Sequence, residues 1–453
     1  MTHVMWIAAP ARGIESSGSL QQLSAPYGAT TLAAAGVLGL AALVVACGVA
    51  VGVRRTQAAG RLDVFHPLIF PTAYVGIACL APTAWIWLGG GDLGYIQARY
   101  MSERTPLMMA LSAIGFVLGS MVPFARRHAA QIRDDPKFFG IAGRLLLLLP
   151  LILAFRDVLG RAVQSRGQGQ DVFTISDSIN AAGLIVAPAA VGMILVSRYK
   201  RNLRLLGASD TIMIGLLISM LGLNGRRGAS IAIVLIILVM VTRRSGTTKY
   251  AALGLAGAAL FSIAVVVYRT LVAGGSTALS LIAMPLRDLG SVAFTTGATD
   301  LALREGGHFG GSTILAGLLR QLPSPIANRL FGPPLDTGAQ VFRHITGRTS
   351  GSQGYGFSLP AEGVLNFGLI GPFFTSLVAG ALLAWLYCLF DVRSSRAIEL
   401  LYPIAVGTLP FAWRSDTLGA VKGVLYPAVI FWMAIAFSRV VSTRDLKALL
   451  AHR

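Results

Sequence analysis

The sequence predicts an all-α polytopic integral membrane protein with about eleven transmembrane helices, and three observations carry that prediction. Hydrophobic residues make up 55% of the 453 and charged residues only 13%, whereas soluble domains hold about 25% charged residues. Mean hydropathy is +0.69. Apolar runs long enough to cross a bilayer recur from near residue 29 to near residue 437, with no soluble domain of ordinary size between them.

The spans fall near 29–53, 67–88, 106–125, 139–155, 179–196, 205–223, 229–242, 251–268, 363–390, 400–413 and 418–437. The 28 residues before the first span lack a basic segment followed by a clean apolar core. That predicts no cleavable signal peptide, so the first span starts insertion. Connections then alternate between two sets. One holds "RRTQAAGR", "RRHAAQIRDDPK", "RYKRNLR", "RRSGTTK", "DVRSSR" and the last basic stretch, and with Arg144 it carries 21 Lys and Arg. The other set, without its one long loop, carries 10. Cytoplasmic loops are the basic ones. The order is therefore an extracytoplasmic tail (1–28), helices one to eight (29–272), an extracytoplasmic loop (273–360), helices nine to eleven (361–437) and a cytoplasmic tail (438–453).

The net charge of +19 is accounted for by topology and anionic lipid, which leaves nucleic acid without a role. Cys47, Cys79 and Cys388 all lie in apolar spans without metal-type spacing, so neither a disulfide framework nor a metal site is expected. The 273–360 loop is neither low-complexity nor highly charged. Its pieces "SLIAMPLRDLGSVAF", "STILAGLLRQLP" and "GAQVFRHITG" predict short interfacial or re-entrant helices over the membrane domain.

The corner "LNGRRG" places Arg226 and Arg227 on the outer side, ahead of a 14-residue apolar run from Ala229 to Thr242. Such a run rises roughly 21 Å as a helix, against about 30 Å of hydrocarbon. The corner is thus expected to dip, with Gly225 and Gly228 allowing a tight reversal. Two readings stand: the arginines snorkel to ordinary phosphates, or they form a dedicated anion site, for which the guanidinium fork is suited. Arg269, Arg287, Arg304, Arg320, Arg329, Arg343, Arg348 and Arg414 add to the outer side. Of these, Arg343 and Arg414 are the ones expected to join Arg226 and Arg227. Asp416 is a neighbour able to neutralise Arg414 instead.

Outer acid–base groups are Glu305, His308, Asp336, His344 and Glu362, with Asp288 and Asp300 less distinctive. Glu362 follows Pro360 at the entry to a long apolar span, where a helix dipole favours a carboxylate. It reads either as a helix-start acid or as a catalytic base. His344, beside Arg343, reads either as structural or as catalytic.

The stretches "GGHFGGSTILAGLLRQLPSPI" and "TSGSQGYGFSLPAEGVLNFGLIGPF" resemble the outer loop of Wzy-type oligosaccharide repeat-unit polymerases of O-antigen and exopolysaccharide synthesis. A glycine-rich segment and a proline-ended helix there precede a "gE.y.NfG..G" pattern, matched by Glu362, Asn366, Phe367, Gly368 and Gly371. Ala361 and Val364 stand where that pattern has a glycine and an aromatic. The corner arginines also resemble that family, and the resemblance covers roughly residues 205 to 390.

The resemblance implies a GT-C-like, metal-independent glycosyltransferase of the bacterial inner membrane with no cofactor. Its donor and acceptor would be oligosaccharides on polyprenyl (undecaprenyl) diphosphate, with a chain-length regulator and a flippase as further partners. It also implies that Arg226, Arg227, Arg343 and Arg414 meet the leaving diphosphate and that Glu362, with His344 second, takes the acceptor proton. O-antigen ligases share the architecture and typically use a loop histidine, a place open to His344 or His308. A lipid-linked sugar flippase is the rival from another class, and it predicts ionisable groups along a midplane path. Here they gather at the outer side instead.

Overall fold

The computed structural model describes residues 31–60, 62–89, 100–124, 136–164, 182–223, 227–245, 283–304, 307–322, 324–331, 336–345, 357–390 and 401–443, with isolated positions at 93, 249, 252 and 254–257. It is all-helical, 84% helix without strands among the described residues. Among the described residues five helical stretches are long and apolar enough to cross a membrane: Thr31–Ala58, Lys137–Arg156, Gly228–Ser245, Leu359–Leu389 (broken at Gly368) and Thr417–Phe437. Thr105–Met121, Ala208–Gly222 and Leu401–Ala412 are shorter apolar helices. The chain is a helical membrane protein.

In chain order the elements are α1 (Thr31–Ala58), α2 (Phe70–Trp87), α3 (Thr105–Met121), α4 (Pro136–Gln164), a π-helical turn (Ala182–Val186) leading into α5 (Ala187–Lys200), α6 (Ala208–Leu223) and α7 (Arg227–Ser245). Then follow α8 (Ala283–Ala302), α9 (Ser312–Leu319), α10 (Ser324–Phe331), α11 (Gly338–Ile345), α12 (Leu359–Phe367), a 3-10 turn (Gly368–Ile370), α13 (Gly371–Leu389), α14 (Leu401–Ala412) and α15 (Thr417–Thr443). Of the expected span 251–268 only positions 252 and 254–257 are described, and Arg226 lies outside the described residues.

Small residues set the closest packing. A Cβ on Gly115 or Gly119 of α3 would overlap the Phe373 and Leu377 carbonyls of α13, and one on Gly380 would overlap the Phe116 carbonyl. The two backbones therefore touch, as small-residue faces allow where lipid removes the hydrophobic drive between helices. Ser112 and Ser376 share a hydrogen bond of 2.7 Å in the same seam, satisfying two hydroxyls that lipid would leave unpaired.

Loops expected to share a side meet one another. At one end Asp63, in the α1–α2 loop, pairs with Arg243 at the end of α7 at 2.9 Å. It also accepts a 2.9 Å hydrogen bond from Tyr387 Oη at the end of α13. Asp210 at the start of α6 receives Arg144 of α4 and Arg198 of α5 at 2.8 and 2.9 Å. At the opposite end Arg304, after α8, meets Glu103, before α3, at 3.2 Å. Contacts among α9, α11, α12 and the start of α15 gather there too.

Three local expectations change. The predicted 363–390 span is not one straight helix. Gly368 takes φ +64°, and a Cβ on Gly371 would overlap the Gly363 carbonyl. Along an unbroken helix those residues would stand about 12 Å apart, so the chain doubles back and α12 lies against the start of α13. Secondly, the helix around "SLIAMPLRDLGSVAF" is no thin surface piece. α8 has 20 residues, and Ser291, Thr295, Thr296 and Thr299 are buried along it. Thr295 and Thr299 return their hydroxyls to carbonyls one turn back at 2.9 and 2.6 Å, which lets a polar stripe be buried without orphaned donors. Lastly, α7 takes in Arg227, Gly228 and Arg243 to Ser245 for 19 residues, or roughly 28 Å. The corner therefore need not dip below the membrane boundary.

Candidate functional site

α12 is the centre of the site, and its start follows from sequence. Ser358 caps it by accepting a 3.3 Å hydrogen bond from Ala361 N, and Pro360 fits the first turn, where no N–H partner is needed. Glu362 and Asn366, four residues apart, then share a face. Both are buried.

Glu362 reaches across to α15. Its Oε2 accepts from Thr417 N and from Thr417 Oγ1, both at 2.7 Å. Its Oε1 accepts from Thr313 Oγ1 of α9 at 3.3 Å. Thr417 N is one of the N–H groups a helix start leaves unpaired, and the dipole there favours an anion. Asn366 does the same for α9: its Oδ1 accepts from Gly311 N at 2.9 Å and Thr313 N at 3.4 Å. Its amide donates to Thr313 Oγ1 and to Glu362 O, both at 2.7 Å. The two side chains thus pin α9, α12 and α15 together.

Asp416 is engaged in a parallel way. Its Oδ1 accepts from Gly419 N at 3.0 Å, capping α15. Its Oδ2 accepts from Ala339 N in the first turn of α11 at 3.3 Å. Gln340 Oε1 accepts from Thr337 N at 3.0 Å and from Arg320 Nη1 at 2.7 Å. The starts of α9, α11, α12 and α15 therefore converge, with Glu362 and Asp416 between them. Asp416 makes no ion pair with Arg414 among the described residues, so the sequence-based expectation of neutralisation gives way to capping.

α11 carries Arg343 and His344 into this cluster. Val341 and Phe342 pack with Ala298 and Leu303 from the α8 region, and with Phe357, Ala361 and Leu365 from α12 and the residues just before it. That apolar side turns Arg343 and His344 outward, and both are exposed. Arg414 lies in the turn between α14 and α15, beside Trp413, whose carbonyl accepts from Leu359 N at 3.4 Å. Its Nε is buried without a hydrogen-bond partner among the described residues, as are Arg320 Nε, Arg287 Nε, Gln321 Oε1 and Asp300 Oδ2. Such atoms are uncommon in folded proteins, and each asks for a water, an ion or a ligand. Gly228, next to Arg227 at the start of α7, faces Phe411 of α14, three residues before Arg414. The start of α7 and the Arg414 turn are neighbours. Nothing is described of the Arg227 side chain.

The structure thus gathers Glu362, Arg343, His344 and Arg414 at one end, with Arg227 on an adjoining helix start. His308 lies near them, under the Gly368 turn, where a Cβ would come within 2.8 Å of its Nε2. Thr313, Thr417 and Gln340 went unmarked in the sequence reading, and Asn366 and Arg320 stood there only as a pattern residue and an outer arginine. "SDTLG" at 415–419 carried a signal for Thr417, because an Asp before a helix with Gly three residues on is a cap pattern. No family model, curated protein or solved structure matches this chain.

Proposed function

We propose that this protein joins oligosaccharide repeat units carried on polyprenyl diphosphate, by glycosyl transfer at the extracytoplasmic face of the inner membrane, releasing the lipid diphosphate. The reading rests on one observation above others: Arg414, whose Nε is buried without a hydrogen-bond partner among the described residues, stands with Glu362, Arg343 and His344 at one end of a helical membrane protein. A guanidinium fork favours an anion, a phosphate above all. The resemblance of residues 205–390 to Wzy-type polymerases names the anion as a prenyl diphosphate, within an eleven-span, GT-C-like arrangement.

In this reading Arg227, Arg226, Arg343 and Arg414 meet negative charge as it builds on the departing diphosphate. The acceptor hydroxyl attacks the anomeric carbon and gives up its proton as the glycosidic bond to the diphosphate breaks. A base must come within hydrogen-bond reach of that hydroxyl. Glu362 is buried with both oxygens engaged, so its part is to hold α9 and α15 in register. His344, exposed on α11, takes the role of base.

Purified protein in nanodiscs with a polyprenyl-diphosphate repeat unit is expected to produce a ladder of lengthening glycans on the lipid. Transfer to a different acceptor without laddering would indicate a ligase. Release of no lipid diphosphate, with the substrate instead moved across the bilayer, would overturn the enzymatic reading.

A further inference from the structure

Helices α9 and α10 and the turn between them expose a run of large apolar side chains: Leu318, Leu322, Ile326 and Leu330 are 48, 41, 49 and 64% exposed. The polarity of α9 is inverted relative to a helix on a water-facing surface. Its buried side is Thr313, Ala316 and Gly317, the small and polar positions, while Leu318 is exposed and Leu315 and Leu319 are half-buried. A surface helix in water does the opposite, and a contiguous exposed apolar patch marks a contact surface.

The segment adjoins two further exposed apolar stripes. On one side Gly311, at the start of α9, lies against the Phe367 ring, about 3.8 Å from a Cβ placed there. Phe367, at the end of α12, begins an exposed stripe that continues through Ile370 of the 3-10 turn to Phe374, Val378 and Leu382 of α13. On the other side Gly317 abuts Leu418 and Thr417. Gln321 Nε2 donates to Leu418 O at 3.2 Å, and Tyr426 Oη donates to Gln321 O at 3.0 Å. These fasten the end of α9 to α15, whose Leu425, Val429, Trp432 and Met433 are exposed.

We infer that α9 and α10 lie in the plane of the membrane interface, with Leu318, Leu322, Ile326 and Leu330 resting on bilayer acyl chains. The pair bridges the lipid-facing stripes of α13 and α15. Continuity with those stripes is what selects lipid as the occupant. Arg329 on the polar side of α10 is then placed for lipid phosphate, as basic residues of interfacial helices are. Because Thr313 on the inner side of α9 holds both Glu362 and Asn366, the lipid contact and the buried cluster are two faces of one helix. This inference stands independently of the proposed activity.

The test uses the full chain with Cys47, Cys79 and Cys388 replaced and a nitroxide at 322 or 330, reconstituted in phosphatidylethanolamine–phosphatidylglycerol nanodiscs. Both labels are expected to relax with oxygen more than with a water-soluble nickel chelate, as a label at 429 does and one at 344 does not. A chelate response matching that of position 344 overturns the inference. So does a dipolar coupling between labels of two copies, which would make a second chain the occupant. The unmodified protein gives an independent readout through a photoactivatable acyl-chain phospholipid. Peptides from 312–331 should be labelled alongside those from 417–437, and labelling confined to 417–437 overturns the inference.

Discussion

Glu362 Oε2 accepts two hydrogen bonds from Thr417, from its backbone N–H and its hydroxyl, both at 2.7 Å. One residue on α12 thereby satisfies the start of α15, 55 residues further along the chain. Thr313 on α9 closes the arrangement from the other side.

Glu362→Gln puts an amide where two donors converge, and one oxygen must do the work of two. Leaving a buried donor unsatisfied costs about 1–3 kcal/mol. Thermal unfolding in detergent should show that loss, with Glu362→Ala lower still. If Glu362→Gln unfolded like wild type and polymerised normally, its holding role would be gone.

Asn366→Asp keeps the acceptor for Gly311 N and Thr313 N but removes the donor to Glu362 O and Thr313 Oγ1. It also aims a charge at a carbonyl. The expected loss exceeds that of Thr417→Val, which removes one hydroxyl bond worth about 1 kcal/mol. Limited proteolysis within 307–322 should report the loosened α9 before global unfolding.

Arg414→Ala and Arg227→Ala are each expected to lower turnover on the order of a hundred- to a thousandfold, the scale seen when one fixed donor to a developing charge is removed. Lysine at 227 should rescue poorly, because the fork geometry is lost. Lipid-linked single units should accumulate in cells carrying either variant at wild-type protein level. Normal chain length there would remove the diphosphate assignment.

His344→Ala should lower the rate of transfer without changing unfolding, since the side chain is exposed. His344→Gln offers no base and should not rescue. A variant with unchanged rate would transfer the proton-accepting role elsewhere, with His308 the next to replace.

Gly371→Ala places a methyl into the Gly363 carbonyl. Overpacking costs about 1–3 kcal/mol where neighbours can shift, and here the neighbour is backbone. The α12–α13 reversal should open, lowering both stability and activity. By contrast Gly36→Ala, with nothing within 4 Å of the added atom, should be neutral by the same unfolding measurement.

The membrane class, the all-helical character and the grouping of loops at two ends were legible in the sequence. Each depends on local or additive properties: apolar length fixes a helix in lipid, and basic residues bias a loop to one side. Asp63 with Arg243 and Asp210 with Arg144 then pair loops the charge bias had already sorted together. Tertiary structure alone decided that Glu362 would cap α15, that Asp416 would turn to Ala339 and not to Arg414, and that the chain would double back at Gly368. Those outcomes depend on which helix starts are left with unpaired N–H groups once the helices pack. A one-dimensional pattern of spacing holds no record of which starts will meet.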